Sequence, residues 1–156
     1  MARITTNTSG SQPVIVLETA TAGNLVIPFV QDVTITNSTG VYSYTTFADA
    51  DTRKLSTPAD NEISMNVVID DMAYFGNATA TANSAAYYGI ATLSTSKVAV
   101  EFTIYWAGQT VGSTDRITTG SGFISGLAPT TSPDAPVWIT PVTIAVDGGL
   151  TNSAAG

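Results

Sequence analysis

Between Lys97 and Trp106 the chain alternates without a break. Val98, Val100, Phe102, Ile104 and Trp106 fall on one side of an extended backbone, and Lys97, Ala99, Glu101, Thr103 and Tyr105 fall on the other. Successive side chains of a strand point to opposite faces, so such a run folds as a strand with one face in a core and the other facing outward. The run Ile63, Met65, Val67, Ile69 repeats the pattern, flanked by Glu62, Ser64, Asn66, Val68 and Asp70. Residues 13–18, 25–36, 41–47, 115–127 and 137–146 are less regular but carry the same β-branched and aromatic bias. Gly120, Gly122 and Gly126 interrupt one of these segments and Pro141 another, which predicts bulges or edge positions there. One helix is expected within residues 78–93, where Ala82, Ala86, Ile90 and Leu93 recur at near-helical spacing behind Asn77 as a cap, with Gly89 weakening it. The expected fold is mainly β: an antiparallel β-sandwich or partial barrel with one short flanking α-helix.

A chain of 156 residues suffices for one domain with a core that needs no covalent staple. The expected organisation is a flexible N-terminal arm over residues 1–12, a β domain over 13–147 with a long loop at 48–61, and a C-terminal arm over 148–156. Both arms are rich in Thr, Ser, Asn, Gly and Ala, a composition that buries little surface. No stretch approaches the 18 unbroken apolar residues of a membrane helix, and the polar start Met1-Ala2-Arg3-Ile4-Thr5-Thr6 lacks a signal-peptide core. No membrane partner is expected.

The composition removes most catalytic chemistry. The chain has no histidine and no cysteine, which takes away the commonest general base, the thiol nucleophile and the commonest transition-metal ligands. Asp70 and Asp71, with Glu62 and Glu101, are the carboxylates a glycosidase-like pair would draw on, but acidic residues at a strand end more often serve as caps or turns. Asp49-Ala50-Asp51 lacks the glycine and terminal glutamate of a calcium loop, and Gly120-Ser121-Gly122 lacks the following helix of a phosphate cradle. No enzymatic activity, cofactor or metal is expected. With 12 acidic and 5 basic residues the net charge is −7, which repels nucleic-acid phosphate rather than holding it.

The order of strand, loop, strand, then Ile63-Ser64-Met65-Asn66-Val67-Val68-Ile69-Asp70-Asp71, a short helix and the strand at 97–107, resembles that of bacteriophage tail tube proteins. The closing segment, Gly122-Phe123-Ile124-Ser125-Gly126-Leu127, a Pro-rich link and the run from Trp138 to Thr151, is similar to the last two strands and glycine-rich exit of that family. The likeness spans roughly residues 25–151. It implies six copies closed into a ring and rings stacked into the tail tube of a virion, a conduit through which DNA passes unbound. It implies partners as well: other copies of the chain, and tape-measure, sheath, baseplate and tail-terminator proteins.

On this reading Glu62, Asp70 and Glu101 are candidates to line the lumen, where carboxylates and hydroxyls would let phosphate slide. Asp49, Asp51, Arg53 and Lys54 are candidates for contacts between rings. The competing reading is another self-assembling or binding β-sandwich, such as a capsid decoration protein, a pilin or adhesin, or a carbohydrate-binding module, for which Tyr42, Tyr44, Tyr87, Tyr88, Trp106 and Trp138 would supply aromatic surface.

Overall fold

The computed structural model describes residues 13–27, 30–106, 116–134 and 137–153. The arm expected at 1–12 and the last three residues of the C-terminal arm lie outside the described residues. Eight strands and two helices follow in order: β1 (Val14–Glu18), β2 (Leu25–Ile27), β3 (Val30–Tyr44), β4 (Arg53–Val68), α1 (Asp71–Phe75), α2 (Ala85–Ser96), β5 (Val100–Tyr105), β6 (Ile117–Leu127), β7 (Ile139–Val146) and β8 (Thr151–Asn152). All strand pairings are antiparallel, in the order β2-β1-β5-β6-β7-β4-β3, with β8 added to β6. The mainly-β expectation holds, and the architecture is one continuous sheet rather than two separate ones.

The alternating runs become the walls of the core. Ile63, Met65 and Val67 of β4 and Val100, Phe102 and Ile104 of β5 are all buried, and they join Ile15 and Leu17 of β1, Val142 and Ile144 of β7, and Ile90 and Leu93 of α2 in one cluster. Each such side chain contributes roughly 1.5–3 kcal/mol by leaving water. Tyr105, on the opposite parity, is also buried, at 8% exposure.

The sheet changes partners along β6. Residues 117–122 pair with β5 and residues 122–127 with β7, so Gly122 stands opposite both Val100 and Val146. A side chain there has no room: a Cβ on Gly122 would lie 2.1 Å from the carbonyl oxygen of Ala145, and one on Gly120 would lie 2.6 Å from the Phe102 ring. The expected bulge occurs between Ile124 and Gly126. Pro141 stands one residue past the last β6–β7 pair, Leu127 with Val142, where β7 has β4 as its remaining ladder partner.

The helical region departs from expectation in two respects. The helix begins at Ala85, and its cap is Ser84, whose Oγ accepts from the Tyr87 amide at 3.2 Å. Asn77 instead closes a local turn, its Oδ1 accepting from the amide and hydroxyl of Thr79 at 2.9 and 2.7 Å. A second helix, α1, precedes it, capped by Asp70, whose carboxylate accepts from the Ala73 amide at 3.1 Å. The two helices meet backbone to backbone: Gly89 has φ +69°, and a Cβ there would lie 2.4 Å from the Gly76 nitrogen. Replacing Ser84 with Ala is expected to cost about 1 kcal/mol and to lower the melting temperature by about 2–4 °C, read by thermal denaturation.

Most of the segment expected as a loop at 48–61 is strand. The connection between β3 and β4 spans only residues 45–52, and Arg53–Asn61 continue β4. Side chains 50–60 are exposed on both faces, so no alternation marks this stretch, and Pro58 and the charges of Arg53 and Lys54 imitate a loop. What holds it extended is the ladder to β3, which absorbs Pro58 at a register shift between Thr39 and Val41.

Candidate assembly surfaces

Three surfaces stand out on this frame. The first is the end of the sheet. β3 is 15 residues long with β4 on one side and, among the described residues, no strand on the other. β7 covers β4 only from Glu62 to Val68. The remainder, Asn37–Tyr44 against Arg53–Asn61, therefore runs on as a two-stranded ribbon about 26 Å long at ~3.3 Å per residue. Almost every side chain on it is exposed, including the apolar Val41, Tyr42 and Leu55, with Phe47 at the tip. Tyr42 and Tyr44 stack at 6.2 Å on the same face as Leu55, which pairs with Tyr42. A two-stranded ribbon is marginal in water, and a long open edge is a template for another strand. This segment of the chain gains stability when another surface covers it.

The ribbon tip is organised by one carboxylate. Asp49 accepts from Arg53 at 2.9 Å and from the Thr46 hydroxyl at 2.6 Å. The Arg53 guanidinium, and secondarily the Thr46 hydroxyl, hold its pKa below the ordinary 3.8. A depressed carboxylate contributes above its unfolded value and loses that contribution as pH falls through the folded value. Asp49 is therefore expected to titrate below 3.8, and Arg53→Gln to move its midpoint up towards that value, both read by side-chain carboxyl NMR.

The second surface is the outer face of β3, β4 and β7. The register sets Thr36 beside Glu62 and Ala145, Thr34 beside Ser64 and Thr143, and Asp32 beside Asn66 and Pro141. Asn66 donates to both Asp32 oxygens at 3.1 and 2.9 Å. These three rows hold two carboxylates, hydroxyls and an amide, and no Lys or Arg.

The third lies at the far end of β4 from the ribbon. Ile69, Tyr74, Phe75, Pro129, Thr130 and Trp138 line an apolar groove of about 270 Å³. The Ile69 amide donates to the Trp138 carbonyl at 2.8 Å and ties these two lining residues together. Phe75 and Trp138 remain 60% and 50% exposed.

No protein-family model matches the chain, and no curated protein matches it. Solved structures do. The C6-symmetric tail of an empty gene transfer agent particle superposes with a TM-score of 0.62 at 12% identity, over 90% of this chain and 96% of that one. The tail tube of SPP1 gives 0.60 at 12% identity, over 93% and 78%. The six-fold symmetrised baseplate of the anti-feeding prophage gives 0.53 at 8% identity, over 96% and 97%. The chain has the tail-tube fold.

Within the tail-tube fold the residues singled out from sequence separate into groups. Asp49, Asp51, Arg53 and Lys54 come together at the ribbon tip or its base, and the Arg53–Asp49 pair is the one ion pair among the described residues. Glu62 points outward on the polar face. Asp70 is committed to capping α1 at the opposite end of β4. Glu101 is on another region of the sheet, with β6 and β7 between it and β4. Its cross-strand neighbour is Glu18, and the two flank a polar cleft with Thr103, Thr119 and Ser121. Sequence reasoning missed Asp32, because its register beside Asn66 is set only after a shift between Val30 and Asp32. It missed the groove too, since Trp138 and Phe75 are 63 residues apart in the chain. The exposed apolar residues flanking the charges at 53–54 were the available signal.

Proposed function

We propose that this chain is a structural, non-catalytic subunit of a virion tail tube, closing into six-membered rings that stack around a conduit for DNA. The observation that supports it most strongly is the β3 edge, unpaired among the described residues, continuing into a ribbon exposed on both faces. That geometry is unfavourable in an isolated molecule and is satisfied when further copies cover it. The outer face of β3, β4 and β7 is the surface proposed to line the lumen, with Glu62 and Asp32 supplying its negative charge. Phosphate meets no cation on those rows and is not trapped by counterion release. The ribbon tip, with Asp49, Asp51, Arg53 and Lys54, is proposed to reach the adjacent ring. Tape-measure, sheath, baseplate and terminator proteins are proposed partners of the finished tube.

Negative-stain electron microscopy of the purified protein over a concentration series tests this. Hollow tubes or six-fold rings are expected. A monomer that persists at the highest concentration would point to a binding module instead.

A further inference from the structure

We infer that the ribbon tip of one copy seats in the apolar groove at the far end of β4 in the next copy, with Phe47 entering beside Phe75 and Trp138. The inference rests on the tube reading above and names the receptor that reading leaves open. The two surfaces occupy opposite ends of one strand: β4 begins at Arg53, at the tip, and ends at Val68, next to Ile69 of the groove. A tip cannot reach the groove of its own chain, because 16 extended residues hold them roughly 50 Å apart. It can reach the groove of a copy placed end to end with it. Such a contact uses two different patches and does not close, so it propagates as a stack.

The size of the groove and the distribution of exposed apolar side chains agree with this occupant. An apolar cavity of about 150 Å³ accepts benzene, so a groove of about 270 Å³ takes the ring of Phe47, which is fully exposed in the single chain. Among the described residues, eight of the eleven exposed large hydrophobic side chains lie on these two regions of the chain: Val41, Tyr42, Phe47 and Leu55 on the ribbon, and Met72, Phe75, Val137 and Trp138 on or near the groove in sequence. Val41 and Tyr42 are successive residues of β3 and face opposite sides of the ribbon, so the contact is centred on Phe47, Phe75 and Trp138. The groove end carries Asp70 and Asp71, and the ribbon carries Arg53, paired with Asp49, and Lys54, close in sequence to Asp51 and Asp60, so apolar contact rather than charge draws the two together.

Complementation between two defective copies tests the contact. Phe47→Asp spoils the tip and leaves the groove; Trp138→Glu, with Phe75→Asp as a second groove variant, does the reverse. Thermal melts establish that each variant is folded. Each alone is expected to raise the concentration needed for stacking by at least about thirtyfold, the loss of one buried aromatic anchor. An equimolar mixture of tip and groove variants is expected to stop at two layers, because one intact tip then meets one intact groove and the outer surfaces are both spoiled. Light scattering after size exclusion reads the layer count. If both folded groove variants still form long tubes, or the mixture shows no gain over its components, the groove is not the receptor while the tube reading stands. If the unmodified protein never assembles, both fail together.

Discussion

Gly122→Ala is expected to lower the melting temperature of the unassembled protein by about 6–12 °C, from a cost of about 3 kcal/mol. Gly126→Ala in the same strand should leave it unchanged within about 2 °C. The contrast comes from backbone geometry. Gly122 belongs to both ladders of β6, and a Cβ there would stand 2.1 Å from the Ala145 carbonyl oxygen. That oxygen belongs to the β7 backbone and cannot swing aside, so the added methyl must push β6 away from β7, and both strands carry core residues. At Gly126 the nearest atom is the Thr143 Cβ at 3.8 Å, an ordinary contact. Differential scanning calorimetry of the two variants checks this, and equal melting temperatures would mean that β6 and β7 do not approach this closely at Gly122.

Removal of the ribbon is expected to abolish tube formation while leaving the fold intact. Asn37 and Asn61 face each other in the ladder, and the Asn37 amide donates to the Asn61 Oδ1 at 2.6 Å. Asn61 in turn donates to the Gly148 carbonyl at 3.0 Å and is buried. Joining these two asparagines through an Asn-Gly turn replaces residues 38–60 with a hairpin whose twist suits the strands. None of the excised residues belongs to the core. The melting temperature should therefore stay within about 3 °C of the parent, roughly the effect of 1 kcal/mol. Electron microscopy should show no stacked tubes at concentrations where the parent forms them. Tubes persisting without the ribbon would remove it from the assembly contact. A large drop in stability would mean that the ribbon supports the core within one chain.

The two predictions separate what one chain needs from what many copies need. Gly122 acts inside the fold, at the point where β6 passes from one ladder to the other. The ribbon buries nothing of its own, so its sequence is free of the alternation that marks β4 at Ile63, Met65 and Val67. The same absence of burial that hid the ribbon from sequence reasoning makes it a candidate for contact with other copies.

The sequence by itself determined the mainly-β class, the two clearest strands, the bulge near Gly126 and the lack of histidine and cysteine chemistry. Those are local matters: period-two alternation, the missing Cβ of glycine and side-chain identity act over a few residues. It also placed Asp49, Asp51, Arg53 and Lys54 on one projecting segment, because they are neighbours in the chain. Only the tertiary structure decided that this segment is a strand, that Asp70 caps a helix, that Glu18 lies across from Glu101, and that Asp32 joins Glu62 on one outward face. Each of these depends on strand register or on which chain ends meet, fixed by contacts between residues far apart in sequence. The groove of Ile69, Phe75 and Trp138 is of the same kind, for it exists only where the ends of β4 and β6, the start of β7 and helix α1 come together.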